Sequence, residues 1–478
     1  MTAARYDVAV IGAGVVGAAI ARACAQYRLS VVLVEAGDDV GAGTSKANTA
    51  ILHTGFDTKP GTLEARLVRR GYALLSAWGP AAGIPIERLG ALLVAWDDEQ
   101  HARFPEILAN ARATGYGAAR EIALADLTRL EPHLGPGARG ALAVPDEAII
   151  CPFTTPLAFA TEAVMNGTAL RLGAAVEARR PGDATTHVLA TTGGEIHADW
   201  VVNAAGLASD TIDGFFGHAA FTVTPRRGEL IVYDKLARPL VRHILLPVPT
   251  ARTKGVLVSP TVFGNVVLGP TAEDVDDKRA TASTPEGLAR LVAAGRRLVP
   301  ALVEEEVTAV YVGLRAATEH ADYQIRFHAA ERYVCVGGIR STGLTASMAI
   351  AEYVLEGLRD AGLRLVPRDD HRPVRMPSLG EQGERPYCSP AAIAADSAYG
   401  EIVCHCERVT RGEIRDALAL PIPAATLDGL RRRTRALLGR CQGFYCGATL
   451  AAMLAEARGT TIADVLGVAP GPATRGPG

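Results

Sequence analysis

The sequence predicts a mixed α/β fold that opens as a doubly wound parallel sheet. Residues 6–11 and 31–35 are apolar runs of the kind found in strands that are buried on both faces. Between them lie a glycine-rich turn at 12–17 and then apolar residues at helical spacing. A strand, a tight turn, a helix and a second strand in this order form the unit from which doubly wound sheets are built.

The later patterns predict a second layer and a late return to the first. The run at 62–78 is amphipathic at helical spacing, and 152–180 predicts a helix followed by a strand that ends at Val176. Short strand-like runs separated by turns predict an antiparallel layer over 221–330. Residues 333–358 follow the order strand, glycine turn and helix, so we expect the chain to rejoin its N-terminal sheet there.

The composition excludes several classes of protein. With 478 residues, of which 49% are hydrophobic, the chain is long enough for two or three domains with cores of their own. A formal net charge of −2 lacks the strong positive charge that is typical of nucleic-acid-binding proteins. Since no apolar run approaches the length of a membrane span, we expect a cytoplasmic protein, with peripheral contact at the inner face of the membrane as the alternative.

The turn at 12–17 has the Gly-x-Gly-x-x-Gly spacing of a dinucleotide site. Gly12 permits the tight turn, Gly14 lets the backbone approach a pyrophosphate, and Gly17 lets the helix lie close to the strand. Glu35 ends the second strand, where its carboxylate can accept hydrogen bonds from a ribose. This spacing predicts a dinucleotide but does not separate FAD from NAD.

Two later segments favour FAD over NAD. One is the strand, glycine turn and helix at 333–358, and the other is a strand that runs into residues 203–206. FAD is a long molecule that has to be held at both ends, whereas NAD-dependent folds usually close their sheet without a return from so far along the chain. We therefore expect FAD.

Four of the eight cysteines lie close together in the C-terminal region, and clustered cysteines in a chain of this size more often bind metal than form disulfides. Four thiolates are the ligands of a 2Fe–2S cluster. Zinc sites usually have at least two residues between paired cysteines, so the tighter Cys-x-Cys spacing favours the cluster over zinc. A zinc site, or cysteines that only pack, are the alternatives. The four residues are Cys404, Cys406, Cys441 and Cys446.

The motifs GAGVVG, VVNAAGLASD and GGIRSTGLT, together with Glu35, resemble those of the D-amino-acid-oxidase-type FAD oxidoreductases, the DAO family. The resemblance covers roughly residues 5–360. Within that superfamily, TSKANTAILHTGFD at 44–57 is most similar to the glycerol-3-phosphate dehydrogenases and oxidases, with the L-2-hydroxyglutarate oxidases as neighbours. The resemblance implies a Rossmann-like FAD-binding domain of DAO type with an interleaved α+β substrate domain.

The C-terminal region resembles a second family. EIVCHCERVTRGEI at 401–414 and DGLRRRTRALLGRCQGFYCG at 428–447 are similar to the C-terminal domain of the anaerobic glycerol-3-phosphate dehydrogenases, which is related to bacterioferritin-associated ferredoxin (BFD). The resemblance implies a small helical domain in which the four cysteines hold a 2Fe–2S cluster. The four arginines within 431–435 either offset the negative charge of that cluster or form a solvated helix face.

Together, the two resemblances imply a domain organisation. The expected regions are a FAD-dependent oxidoreductase at 1–365, an irregular solvated linker at 366–397, a BFD-like [2Fe-2S]-binding domain at 398–467 and a disordered tail at 468–478. Within the first region, the FAD-binding parts are about 1–80, 150–220 and 330–365, and the substrate-binding parts are about 81–149 and 221–329. The BFD-like domain shows two helical patterns.

The resemblance also implies which residues form the site. His53 is the expected base, because a histidine suits proton transfer near neutral pH. Arg315 and Lys254 match substrate-anion positions of the glycerol-3-phosphate oxidases, arginine offering a bidentate fork and lysine a point charge. A His53 that only hydrogen-bonds the flavin or the backbone, and a covalently attached flavin, are the alternatives. The remaining residues expected to contact FAD are Gly12, Gly14, Gly17, Glu35, Thr44, Ser45, Val176, Ala205, Gly206, Gly338, Arg340, Ser341, Gly343, Leu344 and Thr345.

The implied activity is that of an FAD-dependent dehydrogenase that oxidises sn-glycerol 3-phosphate to dihydroxyacetone phosphate, with hydride passing to flavin N5 and the hydroxyl proton to His53. A cluster implies that electrons leave one at a time, to a quinone or a partner subunit, instead of to oxygen alone. The same chemistry on erythritol phosphate, L-2-hydroxyglutarate or an amino or opine acid is the alternative. A non-enzymatic iron–sulfur electron carrier is a different class, against which the glycine turn, Glu35 and His53 argue.

Overall fold

The computed structural model describes residues 5–180, 186–249, 255–379 and 383–467. The chain divides into two compact units, Met1–Met376 and Pro377–Gly478, and each has a hydrophobic core of its own. Lys254 and the expected tail at 468–478 lie outside the described residues. Within the described ranges, no helix combines the length and the apolar character that crossing a bilayer requires.

Among the described residues, twenty strands lie in the larger unit and two in the smaller one. In chain order they are β1 (Arg5–Ile11), β2 (Val31–Val34), β3 (Ile51–Leu52), β4 (Ile86–Arg88), β5 (Ala91–Ala95), β6 (Arg120–Ile122), β7 (Gly140–Val144), β8 (Ala148–Ile150), β9 (Ala169–Arg171), β10 (Val176–Arg180), β11 (His187–Thr191), β12 (Gly194–Asn203), β13 (Thr224–Tyr233), β14 (Ile244–Pro247), β15 (Leu257–Pro260), β16 (Val266–Gly269), β17 (Glu273–Asp274), β18 (Val307–Ala317), β19 (Gln324–His328), β20 (Tyr333–Gly337), β21 (Ile402–Cys404) and β22 (Val409–Thr410).

Helices lie between these strands and dominate the smaller unit. In chain order they are α1 (Val15–Cys24), α2 (Leu63–Trp78), α3 (Asp98–Ala102), α4 (Phe104–Ala113), α5 (Leu124–Leu130), α6 (Thr154–Met165), α7 (Ser209–Phe215), α8 (Pro285–Leu298), α9 (Gly343–Asp360), α10 (Pro390–Ala395), α11 (Arg411–Leu418), α12 (Leu427–Thr434), α13 (Gly447–Arg458) and α14 (Ile462–Leu466).

The first sheet has the doubly wound opening that the sequence predicts. β1 lies between β2 and β12, all three run parallel, and β20 is parallel to β12 on its other side. The whole of β2 is buried because its four residues are apolar on both faces. The full sheet follows the order β10-β11-β12-β1-β2-β9, with β20 and β19 beside β12, so the chain rejoins its N-terminal sheet as expected.

The second sheet is largely antiparallel and lies over a separate part of the core. Its order is β17-β13-β16-β15-β14-β5-β7-β6, and β18 pairs along the length of β13. Leu92, Ile231, Val258 and Leu291 belong to this core, the last of them contributed by α8. Antiparallel sheets commonly pack one face on a core in this way.

The structure differs from the sequence predictions around two turns of the larger unit. Val176 begins β10 instead of ending a strand, because the chain turns at Gly173, which has a left-handed φ of +64°. The segment that follows α9 is exposed at most of its residues, yet part of its backbone is bound to the larger unit. Its backbone is held by hydrogen bonds from Arg368 N to Gln26 O (2.9 Å) and from Met376 N to Ala82 O (2.8 Å).

The smaller unit is a helical domain with a short hairpin. β21 pairs antiparallel with β22, and α11 to α14 supply more helices than the two that the sequence pattern predicts for 398–467. α10 lies within 366–397, where the sequence predicts an irregular linker. Thr410 and Glu413 form a reciprocal capping box at the start of α11. Leu430 and Leu450 are fully buried at the centre of this unit, so α12 and α13 share one core.

Candidate active site

The turn after β1 requires glycine at two of its positions, Gly12 and Gly17. Gly12 has a left-handed φ of +99°, and a Cβ atom there would stand 2.5 Å from Ala204 O. A Cβ atom on Gly17 would stand 1.9 Å from Gly12 O, so the helix lies against the turn at contact distance. Gly14 is the N-cap of α1 and, as a glycine, supplies no side-chain cap of its own, and the first turn of the helix has no acidic residue. This N-terminus fits a pyrophosphate, whose oxygens would accept from its N–H groups.

Glu35 is held in place by the backbone on both sides of it. Its Oε2 accepts from Ala13 N (2.7 Å) and its Oε1 accepts from Gly37 N (2.8 Å). These bonds occupy one lone pair of each oxygen, and a carboxylate can accept further bonds from the ribose hydroxyls. Ala174 N donates to Glu35 O (2.8 Å), so the turn that leads into Val176 lies beside Glu35.

The predicted FAD-contacting turns meet at one edge of the first sheet. β1, β2, β12 and β20 are neighbouring parallel strands, and their carboxyl ends therefore lie at the same edge. Ala205 and Gly206 follow β12 directly, and Gly338 follows β20 with a left-handed φ of +66°. Ligands of doubly wound sheets bind outside these carboxyl ends. The structure thus brings together segments that are more than three hundred residues apart in sequence.

The segment at 44–48 connects the glycine turn to the second sheet. Ser45 Oγ accepts from Val15 N (2.9 Å), at the first turn of α1. Thr44 Oγ1 donates to Leu314 O (2.9 Å), and Tyr311 Oη donates to the backbone oxygen of Asn48 (2.7 Å). Since Leu314 and Tyr311 lie on β18, this segment fixes β18 against the dinucleotide turn.

Arg315 lies on β18, directly after the residue that Thr44 contacts. Desolvation lowers the pKa of Arg315 to about 10, and the positive charge of Arg226 on the neighbouring strand contributes to the shift. Its contact with Thr271 O measures 3.5 Å, and among the described residues no carboxylate pairs with its guanidinium. A desolvated cation without a counter-ion is suited to binding an anionic ligand.

His53 follows β3 and is bound at its backbone by α9. Its N–H donates to Thr345 Oγ1 (3.0 Å), which in turn donates to Ile51 O (3.4 Å). The His53 side chain is 22% exposed, and its Nδ1 lies 3.3 Å from Oε2 of the fully buried Glu147. The structure therefore places the predicted base beside α9, the helix that follows the glycine turn at 337–343. It also places His53 beside Glu147, which the sequence does not predict as a site residue.

Glu147 could not be found from the sequence pattern. It stands between the short strands β7 and β8, and an acidic residue between two strands is usually a solvated turn residue. Glu147 is placed by the pairing of β3 with β8 in the structure. This pairing aligns Leu52 with Ala148 and so sets His53 beside Glu147. That pairing joins residues about a hundred positions apart and is not visible in a local pattern.

The side chains of the turn before α9 are bound to α2. Arg340 Nη2 lies 3.0 Å from Glu64 Oε2, and Thr342 Oγ1 donates to Glu64 Oε1 (2.7 Å). Tyr323 Oη lies 2.6 Å from Thr342 Oγ1. The Arg340 guanidinium therefore positions the turn, and its expected contribution to FAD comes from the backbone. Of the other predicted residues here, Ser341 is exposed, whereas Leu344 and Thr345 are buried in α9, which begins at Gly343.

The four predicted cysteine ligands lie near one another within the smaller unit, with electrostatic interactions between Cys404 and Cys406 and between Cys441 and Cys446, and two direct pairs among them. Cys406 interacts with Cys441, and Cys404 interacts with Cys446. Backbone N–H groups, that of Tyr445 first, lower the pKa of the Cys441 thiol. Each iron of a 2Fe–2S cluster takes two thiolates, so two pairs fit that cluster.

A tetrahedral zinc ion would need a different arrangement. With Zn–S bonds of about 2.3 Å, the sulfurs of a tetrahedral site lie about 3.8 Å apart. Any three of the four sulfurs would therefore lie within about 4 Å of one another. In the described part of the chain, the only group of three or more candidate ligands within 4.8 Å of one another contains no cysteine. The cysteine arrangement thus favours the cluster over zinc.

That group consists of His218, His328 and Glu331, with His218 Nε2 lying 3.2 Å from Glu331 Oε2. The two imidazole rings are stacked with their centroids 3.7 Å apart. The lone pair of an imidazole nitrogen lies in the ring plane, so stacked rings direct their lone pairs side by side and not toward one ion. We therefore interpret this group as a stacked pair with a carboxylate partner.

Three of the four arginines within 431–435 are buried, so the alternative of a solvated helix face is wrong for most of them. Arg432, Arg433 and Arg435 are each less than a tenth exposed. Arg433 donates to the backbone oxygens of Ile422 (3.2 Å) and Gly429 (3.0 Å), and Arg432 pairs with Asp428. Arg435 pairs with Glu407, the residue after Cys406 (3.0 Å). Their guanidinium groups are enclosed because backbone oxygens and carboxylates of the same unit satisfy them. Arg431 is more exposed.

Comparison with known protein families agrees with this division. Residues 7–356 match the family described as FAD dependent oxidoreductase, abbreviated DAO. Residues 402–456 match the family described as BFD-like [2Fe-2S] binding domain. Each match falls within one of the two compact units.

Individual relatives cover most of the chain. It is 34% identical over 463 residues to a glycerol 3-phosphate dehydrogenase of Caloramator mitchellensis, covering 96% of both chains. It is 25% identical to a subunit of the anaerobic glycerol-3-phosphate dehydrogenase of Escherichia coli K12, covering 96% of this chain and 89% of that protein. Among solved structures it resembles the L-α-glycerophosphate oxidase of Mycoplasma pneumoniae with FAD bound, with a TM-score of 0.74, 26% identity, and coverage of 78% of this chain and 99% of that one.

Proposed function

The chain belongs to the FAD dependent oxidoreductase family and carries a BFD-like [2Fe-2S] binding domain, and on this premise we propose that it is a dehydrogenase that oxidises sn-glycerol 3-phosphate to dihydroxyacetone phosphate. The names of the Caloramator mitchellensis and Escherichia coli relatives support this substrate, as does coverage along nearly the whole chain. When bound, FAD supplies the hydride acceptor, and the 2Fe–2S cluster supplies a one-electron acceptor.

The observation that carries the proposal is the desolvated guanidinium of Arg315, which pairs with no carboxylate of the described ranges. A phosphate monoester is an anion with several acceptor oxygens, two of which the fork of an arginine can bind at once. β18 holds Arg315 at the same end of the molecule as the dinucleotide turn, because Thr44 binds the preceding residue. Lys254 is proposed as a second cation for the phosphate, on the resemblance alone.

His53 is the base in this proposal. Its imidazole takes the proton of the secondary hydroxyl as the C–H bond gives up its hydride, so the alcohol becomes a ketone without accumulating charge. The contact between its backbone and Thr345 keeps His53 beside the start of α9. When FAD is bound, backbone N–H groups of the turn before α9 and the N-terminus of that helix would favour negative charge on the reduced cofactor in this proposal.

The final electron acceptor is proposed to be a quinone or a partner subunit. A cluster that accepts single electrons allows a two-electron oxidation to feed a one-electron carrier. Such an acceptor would require contact at the membrane surface or with another chain.

An anaerobic substrate screen with purified holoprotein tests the proposal. The absorbance of oxidised flavin should bleach with sn-glycerol 3-phosphate but not with glycerol, because glycerol lacks the anion that Arg315 would bind. Erythritol phosphate, L-2-hydroxyglutarate and amino acids complete the panel. Bleaching by one of these, and none by glycerol 3-phosphate, would show that the proposed substrate is wrong.

A further inference from the structure

The carboxylate of Glu147 is fully buried and shared between His53 and the next residue. Its Oε1 accepts from both Thr54 N (2.7 Å) and Thr54 Oγ1 (2.8 Å). Its Oε2 is buried, has no other polar partner, and lies within ion-pair distance of His53 Nδ1, at 3.3 Å. Two bonds from one threonine fix the plane of the carboxylate, and the remaining oxygen is thereby directed at the imidazole.

Among the described residues, no permanent cation offsets the charge of Glu147. No lysine or arginine of those ranges pairs with its carboxylate, although the side chain has no exposed surface. Enclosing an ionised carboxylate without a counter-charge costs roughly several kcal/mol after relaxation of the surroundings. The proton of the adjacent imidazole is therefore the group that offsets this cost.

We infer that Glu147 is a positioning residue that fixes the tautomer and the orientation of His53. A carboxylate only accepts hydrogen bonds, so it places the imidazole proton on Nδ1. The lone pair then lies on Nε2, the nitrogen on the opposite side of the ring, which takes the hydroxyl proton of the substrate. When Nε2 is protonated, the imidazolium faces a buried negative charge that stabilises it. This role rests on the proposed function only in that His53 is the base.

The first test is the rate of flavin reduction in Glu147→Gln. Glutamine keeps the shape and can still accept from Thr54, but its NH₂ group would face Nδ1 and drive the proton to Nε2. The rate at saturating substrate should fall by on the order of 10²-fold or more, while KM stays within about threefold. The acid limb of kcat/KM should also move to lower pH, because the imidazolium loses its counter-charge. Glu147→Asp, which keeps the charge, should recover part of the rate.

A double-mutant cycle separates positioning from a structural role. If Glu147 acts through His53, Glu147→Gln should lower the rate in the native background and have no further effect in a His53→Ala background. An equal loss in both backgrounds would overturn the inference. Rates are expressed per bound flavin, so that a lower FAD content in a variant is not mistaken for a lower rate of flavin reduction.

Glu131→Gln is the matched control. Glu131 is also a buried carboxylate, and its Oε1 lies 2.7 Å from Nδ1 of His243, between α5 and β14. Its replacement should lower stability without changing flavin reduction per bound flavin. Any substrate that bleaches the flavin serves for these measurements, so failure of glycerol 3-phosphate would count against the proposed function, while an unchanged rate in Glu147→Gln would count against this inference.

Discussion

Arg315 shows how one side chain can be unfavourable for the free protein and favourable for ligand binding. Its guanidinium is desolvated, faces the like charge of Arg226, and has no carboxylate partner among the described residues. Arg226 itself pairs with Asp274 (2.7 Å), so that carboxylate already has a partner. A desolvated cation without a counter-ion destabilises the free protein, and binding of an anion to its N–H donors offsets that loss of stability.

Arg315→Ala should therefore change ligand binding and stability in opposite directions. Losing a charge-assisted contact of about 2–3 kcal/mol should raise the substrate KM by roughly 30- to 150-fold. The thermal unfolding midpoint without substrate should stay the same or rise, because an uncompensated charge is removed. Arg315→Lys, which keeps the charge and loses the fork, should lie between the two. An unchanged KM would remove Arg315 from the substrate pocket.

Two helices of the larger unit, α2 and α8, begin at carboxylates from distant parts of the chain. Asp322 accepts from the backbone of Leu63 (2.7 Å) and Glu64 (2.9 Å) at the start of α2. The buried Glu229 accepts from Thr284 N (2.7 Å) and Oγ1 (2.8 Å) at the start of α8. A negative charge near a helix N-terminus is favourable because the N–H groups there have no helical partners. Each contact also fixes the helix against a strand or loop of the larger unit.

Gly287→Ala tests the close approach of α8 to Glu229. Helix propensity alone predicts about 1 kcal/mol of stabilisation from this change. However, the added Cβ would stand 1.3 Å from Glu229 Oε2, so we expect a net loss of about 1–3 kcal/mol and a lower thermal midpoint. Gly214→Ala in α7 is the control, because a Cβ there meets nothing within 4 Å and should be neutral or stabilising. A higher midpoint for Gly287→Ala would contradict the geometry.

The two compact units separate the two kinds of redox chemistry. The carboxyl edge of the first sheet, His53 and Arg315 lie in Met1–Met376, and the four cysteines lie in Pro377–Gly478. Each unit has its own buried core, so a change at one site is not expected to unfold the other. Substrate oxidation and onward electron transfer should thus be separable by mutation.

Cys441→Ser is the direct test of that separation. One iron would lose a ligand of its thiol pair, so the iron content should fall to background, measured by metal analysis of the purified protein. Anaerobic bleaching of the flavin by substrate should persist, while reduction of a one-electron dye should slow. Cys388→Ser is the control, since Cys388 is an exposed cysteine of the same unit. Wild-type iron in Cys441→Ser would refute the ligand set, and loss of flavin bleaching would refute the separation.

The cofactor site is predictable to the extent that its signals are local. The spacing of Gly12, Gly14 and Gly17 between two apolar runs indicates a dinucleotide turn. Both the glycine spacing and the apolar patterns around it are local and can be recognised in the sequence. The distant return at 333–358 is recognisable for the same reason. The prediction that a strand ends at Val176 is wrong because a single glycine turn shifts a strand boundary without changing the pattern around it.

Local patterns in the chain were sufficient for the α/β class, the dinucleotide turn and the four clustered cysteines, since each depends on neighbours in sequence. Only the tertiary structure decided that Glu147 faces His53, that Arg315 is desolvated with no counter-ion in the described ranges, and that Arg432, Arg433 and Arg435 are buried. The physical reason is that burial and charge pairing depend on contacts between distant segments. A glutamate in a sequence gives no indication of whether its carboxylate is buried or solvated. For Glu147, the pairing of β3 with β8 decides that it is buried beside His53.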